Sequence, residues 1–361
     1  MILSLFFQFF KKPFGILLLS LMAFSCQSKH SKTKLYYPDA TWEKVKEDSP
    51  TWDAQKLDAA RAYSSNLNEA SVLILYKGKI LRAWGDIDRK IPLHSVRKSF
   101  MSAMYGPLVK EGIIDTTATI EELGIDDIDS LSTTEKKATV RMLLQARSGI
   151  YHPAAFETKG MAASRPKRHS HAPGTYWYYN NWDFNVIGEI FKEKTGEDIF
   201  EGFKRIIGDP IGMEDFNPET DGRYAYDLDK SKYPGYPFKM SAKNAARFGL
   251  LMLRNGQWKD QQIIPESWVK ESTKIHSKGN SGGGYGLMWR VAVGPVSPLG
   301  GNKVHHPQDT YTARGYKGHV ITIIPSQDLV FVYNNNDANG GTTSYLDIGK
   351  LLEMILDAKQ N

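Results

Sequence analysis

Strand-like runs lie at both ends of this chain and helical runs fill its middle, a distribution that limits the fold more than any single motif does. Ser71 to Tyr76 and Ile80 to Trp84 read as two strands joined at Lys77-Gly78-Lys79. Gly284 to Val293, His319 to Ile324 and Leu329 to Asn334 read as strands too, the last two joined by a hairpin turn at Pro325-Ser326-Gln327-Asp328. Helical patterns cover Asp53 to Leu67, Arg141 to Ala146, Asp183 to Lys194, Met240 to about Asn255 and Leu346 to Ala358. Gly249, on the buried face of the fourth, predicts a close neighbour. Sequence-distant strands with helices between them predict an α+β fold, an antiparallel sheet flanked by helices with an inserted mainly helical domain. The α/β part is expected over about 51–100 and 236–361, and the helical part over about 101–235.

The N-terminal region reads differently. Lys11-Lys12 precede an apolar run, Phe14 to Phe24, which is short for a membrane span, and small residues lead into Cys26, the only cysteine of the 361 residues. Residues 1–26 therefore resemble a lipoprotein-type signal peptide with Cys26 as the lipid anchor. The resemblance departs from the usual pattern in an upstream leucine, Leu21, and in an apolar Met1 to Phe10 before the lysines. An ordinary signal peptide or a retained membrane anchor is the alternative. Residues 27–50 read as a tether, polar and basic at first and then broken by Pro38 and Pro50. Without the two signal lysines, 44 basic face 40 acidic residues, an excess too mild for a nucleic-acid-binding surface.

One stretch carries chemistry more clearly than the rest, His94-Ser95-Val96-Arg97-Lys98-Ser99-Phe100. It follows the first hairpin and opens an apolar-periodic run to Gly112, which Pro107 should kink without abolishing. Residues three apart share a helix face, with Cβ atoms about 5–6 Å apart, so Ser95 and Lys98 can meet. An amine serves as a base once burial lowers its pKa from about 10.4, and the helix N-terminus favours its neutral form. This is the logic of an activated serine. Ser-x-x-Lys also occurs at Ser31/Lys34, Ser164/Lys167 and Ser267/Lys270, so spacing alone leaves simple N-capping by Ser95 as the competing reading.

Two further stretches complement it. In Pro173-Gly174-Thr175-Tyr176-Trp177-Tyr178-Tyr179-Asn180-Asn181 a tyrosine can shuttle a proton and an asparagine two residues on can hold a carbonyl. Both Tyr178-x-Asn180 and Tyr179-x-Asn181 fit, and an aromatic core cluster is the alternative. In Ala313-Arg314-Gly315-Tyr316-Lys317-Gly318-His319, backbone N–H groups can face a developing oxyanion. Lys194-Thr195-Gly196 sits where a helix stops and reads as capping.

In this order the three stretches resemble the serine β-lactamase and penicillin-binding-protein superfamily, nearest its class C-like branch of esterases, D-aminopeptidases and nylon-oligomer hydrolases. Leu143-Leu144 before Ser148-Gly149, Pro210-Ile211-Gly212-Met213, Arg247-Phe248-Gly249-Leu250-Leu251 and Tyr285-Gly286-Leu287-Met288-Trp289 extend the likeness over about residues 53 to 358. The resemblance implies a β-lactamase/transpeptidase-like fold over residues 51–361, with Ser95 as the acylated serine and Lys98 as its base. It selects Tyr179 over Tyr178 and makes Asn181 its partner. It aligns the third motif with Ala313-Arg314-Gly315, and the Tyr316 N–H then completes an oxyanion hole with that of Ser95. The family's Lys or His at the first position of that motif is absent here, which weighs against β-lactam and D-Ala-D-Ala substrates. Strand alternation would point Arg314 to the other face.

The expected protein is an exported, membrane-anchored serine hydrolase acting on a small ester, amide or peptide. The alternatives are a cell-wall D-peptidase or β-lactamase-type activity, and a non-turnover acylatable sensor or binding lipoprotein. Loops at Tyr151 to Pro173 and Pro295 to Asp309 are expected to shape the pocket. No cofactor and no nucleic-acid partner are implied. His169-Ser170-His171 and His305-His306 lack the three convergent ligands of a catalytic zinc.

Overall fold

The computed structural model describes residues 35–279 and 283–360; the signal segment and Cys26 lie outside the described residues. Eight strands form one antiparallel sheet: β1 (Glu69–Tyr76), β2 (Lys79–Gly85), β3 (Ser277–Lys278), β4 (Gly284–Tyr285), β5 (Arg290–Val291), β6 (Tyr311–Gly315), β7 (His319–Ile324) and β8 (Leu329–Asn335). Their order across the sheet is β2-β1-β8-β7-β6-β5-β4-β3, so the first hairpin pairs directly with the last strand, Val72 facing Tyr333 and Ile74 facing Phe331.

Period two along the central strands divides two cores. Val72, Ile74, Phe331 and Tyr333 point to one face and pack under helices α1 (Ala54–Ser64) and α5 (Tyr345–Asp357) through Leu57, Ala60, Ile348 and Leu351. Leu73, Leu75, Val330 and Val332 point to the other face, where the main core lies. Helix α4 (Ala242–Leu253) covers that side. A Cβ on Gly249 would sit 2.5 Å from Val330 Cγ1, the close approach its position predicts. With both faces covered, these strands read as continuous apolar runs rather than alternating ones.

The helix after Ser95 differs from its expected amphipathic character. A 3₁₀ turn, His94–Val96, leads into α2 (Arg97–Lys110), which is buried on nearly every side and passes through Pro107 without ending. Three of its polar side chains are satisfied inside: Ser99 Oγ donates to Met288 O at 2.8 Å, Ser102 Oγ to Leu287 O at 2.7 Å and Tyr105 OH to Ile187 O at 2.7 Å. The segment expected as one strand from Gly284 to Val293 is two short strands instead, because Met288 takes φ +62° between them and its N–H bonds to Leu144 O. The described end of the tether, residues 35–50, lies against the body. Val45 N donates to Ile80 O, and Arg247 donates to Pro38 O at 2.7 Å. Among the described residues no helix is long and apolar enough to cross a membrane.

Candidate active site

Ser95 sits in the 3₁₀ turn and its side chain caps no helix N–H. One turn on, Lys98 Nζ reaches Ser95 Oγ at 3.0 Å, Tyr179 OH at 2.6 Å and Asn181 Oδ1 at 2.7 Å. Burial lowers the Lys98 amine well below its ordinary 10.5, and the positive charges of Arg97 and Arg290 push in the same direction. Burial raises the Tyr179 phenol. Both groups are thus favoured in their neutral forms. A neutral amine has two N–H groups and one lone pair. Asn181 Oδ1 can only accept, so it takes one N–H, and Asn181 is itself fixed by its Nδ2 donating to Phe156 O at 2.8 Å. The lone pair and the other N–H then serve the two hydroxyls.

The register left open by the residues is decided by contacts. Tyr178 turns away and its OH donates to Met161 O at 2.8 Å. Asn180 caps helix α3 (Asn181–Thr195), accepting from Trp182 N at 3.2 Å and donating to Ile150 O and to Asp183 Oδ1. Tyr179 and Asn181 face Lys98. At the far end of α3, Gly196 at φ +69° closes the helix on Lys192 O, so Lys194-Thr195-Gly196 is capping.

The third stretch reaches the serine from the sheet. A Cβ on Gly315 would lie 2.3 Å from the carbonyl oxygen of Leu93, so only glycine lets β6 press against the turn that carries Ser95. Tyr345 OH donates to Gly315 O at 2.7 Å and fixes the strand end. Tyr316 follows, its ring exposed on the wall of a cavity of about 660 Å³ that Ser95, Lys98 and Tyr179 also line. Along β6 the alternation runs opposite to its expected phase. Ala313 is in the core and Arg314 lines the cavity, stacked 3.5 Å from the Tyr345 ring centre.

Two features escape sequence reasoning. Arg290, on β5, lies over the rings of Trp177, Tyr179 and Tyr285 at 5.0–5.2 Å and contributes charge beside Lys98. His94, at φ +49°, reaches Asp337 Oδ2 at 2.6 Å, while His319 Nε2 lies 3.2 Å from Asp337 Oδ1. The three side chains come close enough to share an ion, but each contact is already a hydrogen bond, with Asn335 Nδ2 adding another to Asp337 Oδ1 at 2.9 Å. The other histidine pairs are engaged elsewhere: His305 on Glu353, His306 on Ser297 and Gly349, and His171 stacked on Tyr176.

The fold has many solved relatives. A family VIII carboxylesterase is 15% identical with a TM-score of 0.62, over 88% of this chain and 99% of its own. A Bacillus anthracis protein assigned as a 6-aminohexanoate-dimer hydrolase is 17% identical with a TM-score of 0.61, over 88% and 87%. An octameric penicillin-binding protein homologue from Pyrococcus abyssi is 17% identical with a TM-score of 0.60, over 85% and 77%. At these identities the likeness concerns the fold. No curated protein matches the chain in sequence. The family model described as Beta-lactamase matches residues 54–350, which span both sides of the sheet, the Ser95 turn and the Tyr179 loop. On that match the chain belongs to the beta-lactamase family of serine hydrolases.

Proposed function

We propose that this protein is an exported hydrolase that cleaves an ester or amide through an acyl-enzyme on Ser95. The observation that carries the reading is the buried Lys98 amine within 3.0 Å of Ser95 Oγ and 2.6 Å of Tyr179 OH. Lys98 takes the Ser95 proton as Oγ attacks the carbonyl carbon. The Ser95 and Tyr316 amides hold the tetrahedral oxyanion. The tetrahedral species collapses as the bond to the leaving group breaks, and Tyr179 supplies the leaving group's proton, regaining one from Lys98. For deacylation Tyr179 takes a proton from water as it passes its own to the neutral Lys98 amine; the water oxygen attacks the acyl carbon, and Lys98 returns a proton to Ser95 Oγ as the acyl bond breaks and frees the serine. The fold's likeness to a carboxylesterase supports ester chemistry.

Labelling with a fluorophosphonate, with the adduct mapped by mass spectrometry, tests the reading together with Ser95→Ala. Modification at Ser95 and loss of ester turnover in the variant are expected; a variant that keeps most of its activity would remove the proposal. A labelled enzyme that turns over no ester, amide or β-lactam would favour the sensor reading instead. Anchoring through Cys26 is part of the same proposal, drawn from the signal-like segment. Cys26→Ser should release the protein from membranes, and unchanged partitioning would refute lipidation.

A further inference from the structure

A strained residue stands directly before Ser95. His94 takes φ +49°, a left-handed angle that a Cβ disfavours. Lys77, Lys259 and Asp328 take similar angles, but each sits in a hairpin turn, where the chain must reverse. His94 instead opens the 3₁₀ turn that carries Ser95. Strain of this kind persists only where the surroundings over-determine it.

The surroundings hold it from two directions. One residue back, the Leu93 carbonyl lies against Gly315. At His94 itself, Nε2 donates to Asp337 Oδ2 at 2.6 Å, and the Tyr316 ring meets the imidazole edge-on with centroids 5.9 Å apart. Asp337 is anchored in turn. Its Oδ1 accepts from Asn335 Nδ2 at 2.9 Å and His319 Nε2 at 3.2 Å, from the end of β8 and the start of β7. With three donors on two oxygens, the carboxylate cannot swing without losing a charge-assisted hydrogen bond. His94 lines the cavity over Ser95 and Asp337 lies outside that lining, so Asp337 reaches the chemistry only through His94.

We infer that Asp337 is a positioning residue for acyl transfer: through His94 it holds the His94–Ser95 peptide in the left-handed turn that aims the Ser95 N–H at the oxyanion. This rests on the acyl-enzyme reading for the role of that N–H. The peptide is planar, so a rotation at His94 swings the N–H as a unit. A hydrogen bond weakens steeply as its angle closes, so such a rotation costs rate even with Ser95 Oγ and Lys98 in place. The oxyanion forms only as Oγ attacks. Losing its donor therefore slows acylation and leaves ground-state binding unchanged.

The test measures two rates in the folded protein, well below its Tm: labelling of Ser95 by a fluorophosphonate and burst-phase acylation by 4-nitrophenyl butyrate. Both reactions build negative charge on an oxygen beside the serine. Asp337→Asn should slow both about ten- to a hundredfold, with the apparent dissociation constant of the ester within about twofold of wild type. A contact serving folding alone would lower Tm and leave both rates unmoved. His94→Ala loses the ring and resists positive φ, so it should be at least as slow. His94→Gly loses the ring but adopts that φ freely, and should run at least about threefold faster than His94→Ala. Added to His94→Gly, Asp337→Asn should change the rates by less than about twofold. Labelling and acylation unmoved by Asp337→Asn would overturn the inference and leave the hydrolase reading standing, as would a loss confined to ester binding. If Asp337→Asn does not fold, equal rates for His94→Gly and His94→Ala would overturn it. Labelling slowed by these substitutions in a protein that turns over no ester would keep the clamp and remove the turnover reading. A wild-type protein unlabelled at Ser95 would remove both.

Discussion

His94 Nε2 lies 2.6 Å from Asp337 Oδ2, a contact that ties the residue before Ser95 to the end of the last sheet strand. Burial pushes the Asp337 carboxyl up, but hydrogen bonds from His319, Asn335 and His94 outweigh it and hold the group well below the usual carboxylate range. His94 is lowered, chiefly by burial and against the pull of Asp337. Both groups therefore resist protonation more in the folded than in the unfolded chain. The Asp337 contribution is present above about pH 4 and drains as pH falls further, while the His94 penalty begins near pH 6.5. Thermal unfolding followed from pH 7 to 4 should show a falling Tm. His94→Asn, a residue that tolerates φ +49°, should flatten the slope between about pH 6.5 and 5. Some slope should survive, since burial also lowers His152, His276 and His306.

The adjacent tyrosines separate sharply. Tyr179→Phe removes the hydroxyl on Lys98 and should lower kcat/KM about 10²–10⁴-fold. Tyr178→Phe loses only the bond to Met161 O, which should cost about 1 kcal/mol of stability and leave ester turnover within a few-fold of wild type. Steady-state kinetics beside urea unfolding distinguishes the two effects.

The acid limb of the pH–rate profile should report Lys98. Because its amine is lowered, kcat/KM should rise to its plateau well below pH 10.5. Asn181→Asp places a carboxylate where Oδ1 now accepts from Lys98. That charge favours the ammonium, raises the Lys98 pKa and should move the limb to higher pH, cutting the rate at pH 7 by about tenfold for each unit moved. Removing the positive charge of Arg290 should move the limb the same way. A limb unmoved by both substitutions would separate Lys98 from the base role.

Gly315→Ala sets a Cβ 2.3 Å from the Leu93 carbonyl oxygen, a backbone atom, so β6 and the Ser95 turn must shift apart. Turnover of a neutral ester should fall about 10²–10³-fold, the cost of misplacing the proposed oxyanion donor, the Tyr316 amide. Circular dichroism should show secondary structure retained.

Fold class was legible because strands β1, β7 and β8 and helices α1, α3, α4 and α5 each carry a continuous local signal. Ser95 stood out from three other Ser-x-x-Lys spacings by its place after a hairpin. Tyr178 and Tyr179 were equivalent as residues, and the family resemblance, not local chemistry, preferred Tyr179. Arg314 faces the cavity, against the expected phase, because alternation gives a period and not a phase, which is set here by Ala313 packing into the core. Arg290 sits in a strand of two residues, too short for any periodic signal. His94, His319 and Asp337 share no spacing rule, since only the sheet brings them together.

The contact between Gly315 and the Leu93 carbonyl has a temporal consequence. Some 220 residues separate the Ser95 turn from the strand that completes its surroundings, so at about 5–20 residues per second ribosomal synthesis takes roughly 10–40 s to supply the second half. Until then a nascent or truncated chain holds the serine without its proposed oxyanion cradle. Catalytic competence arrives only with the closing strands of the sheet.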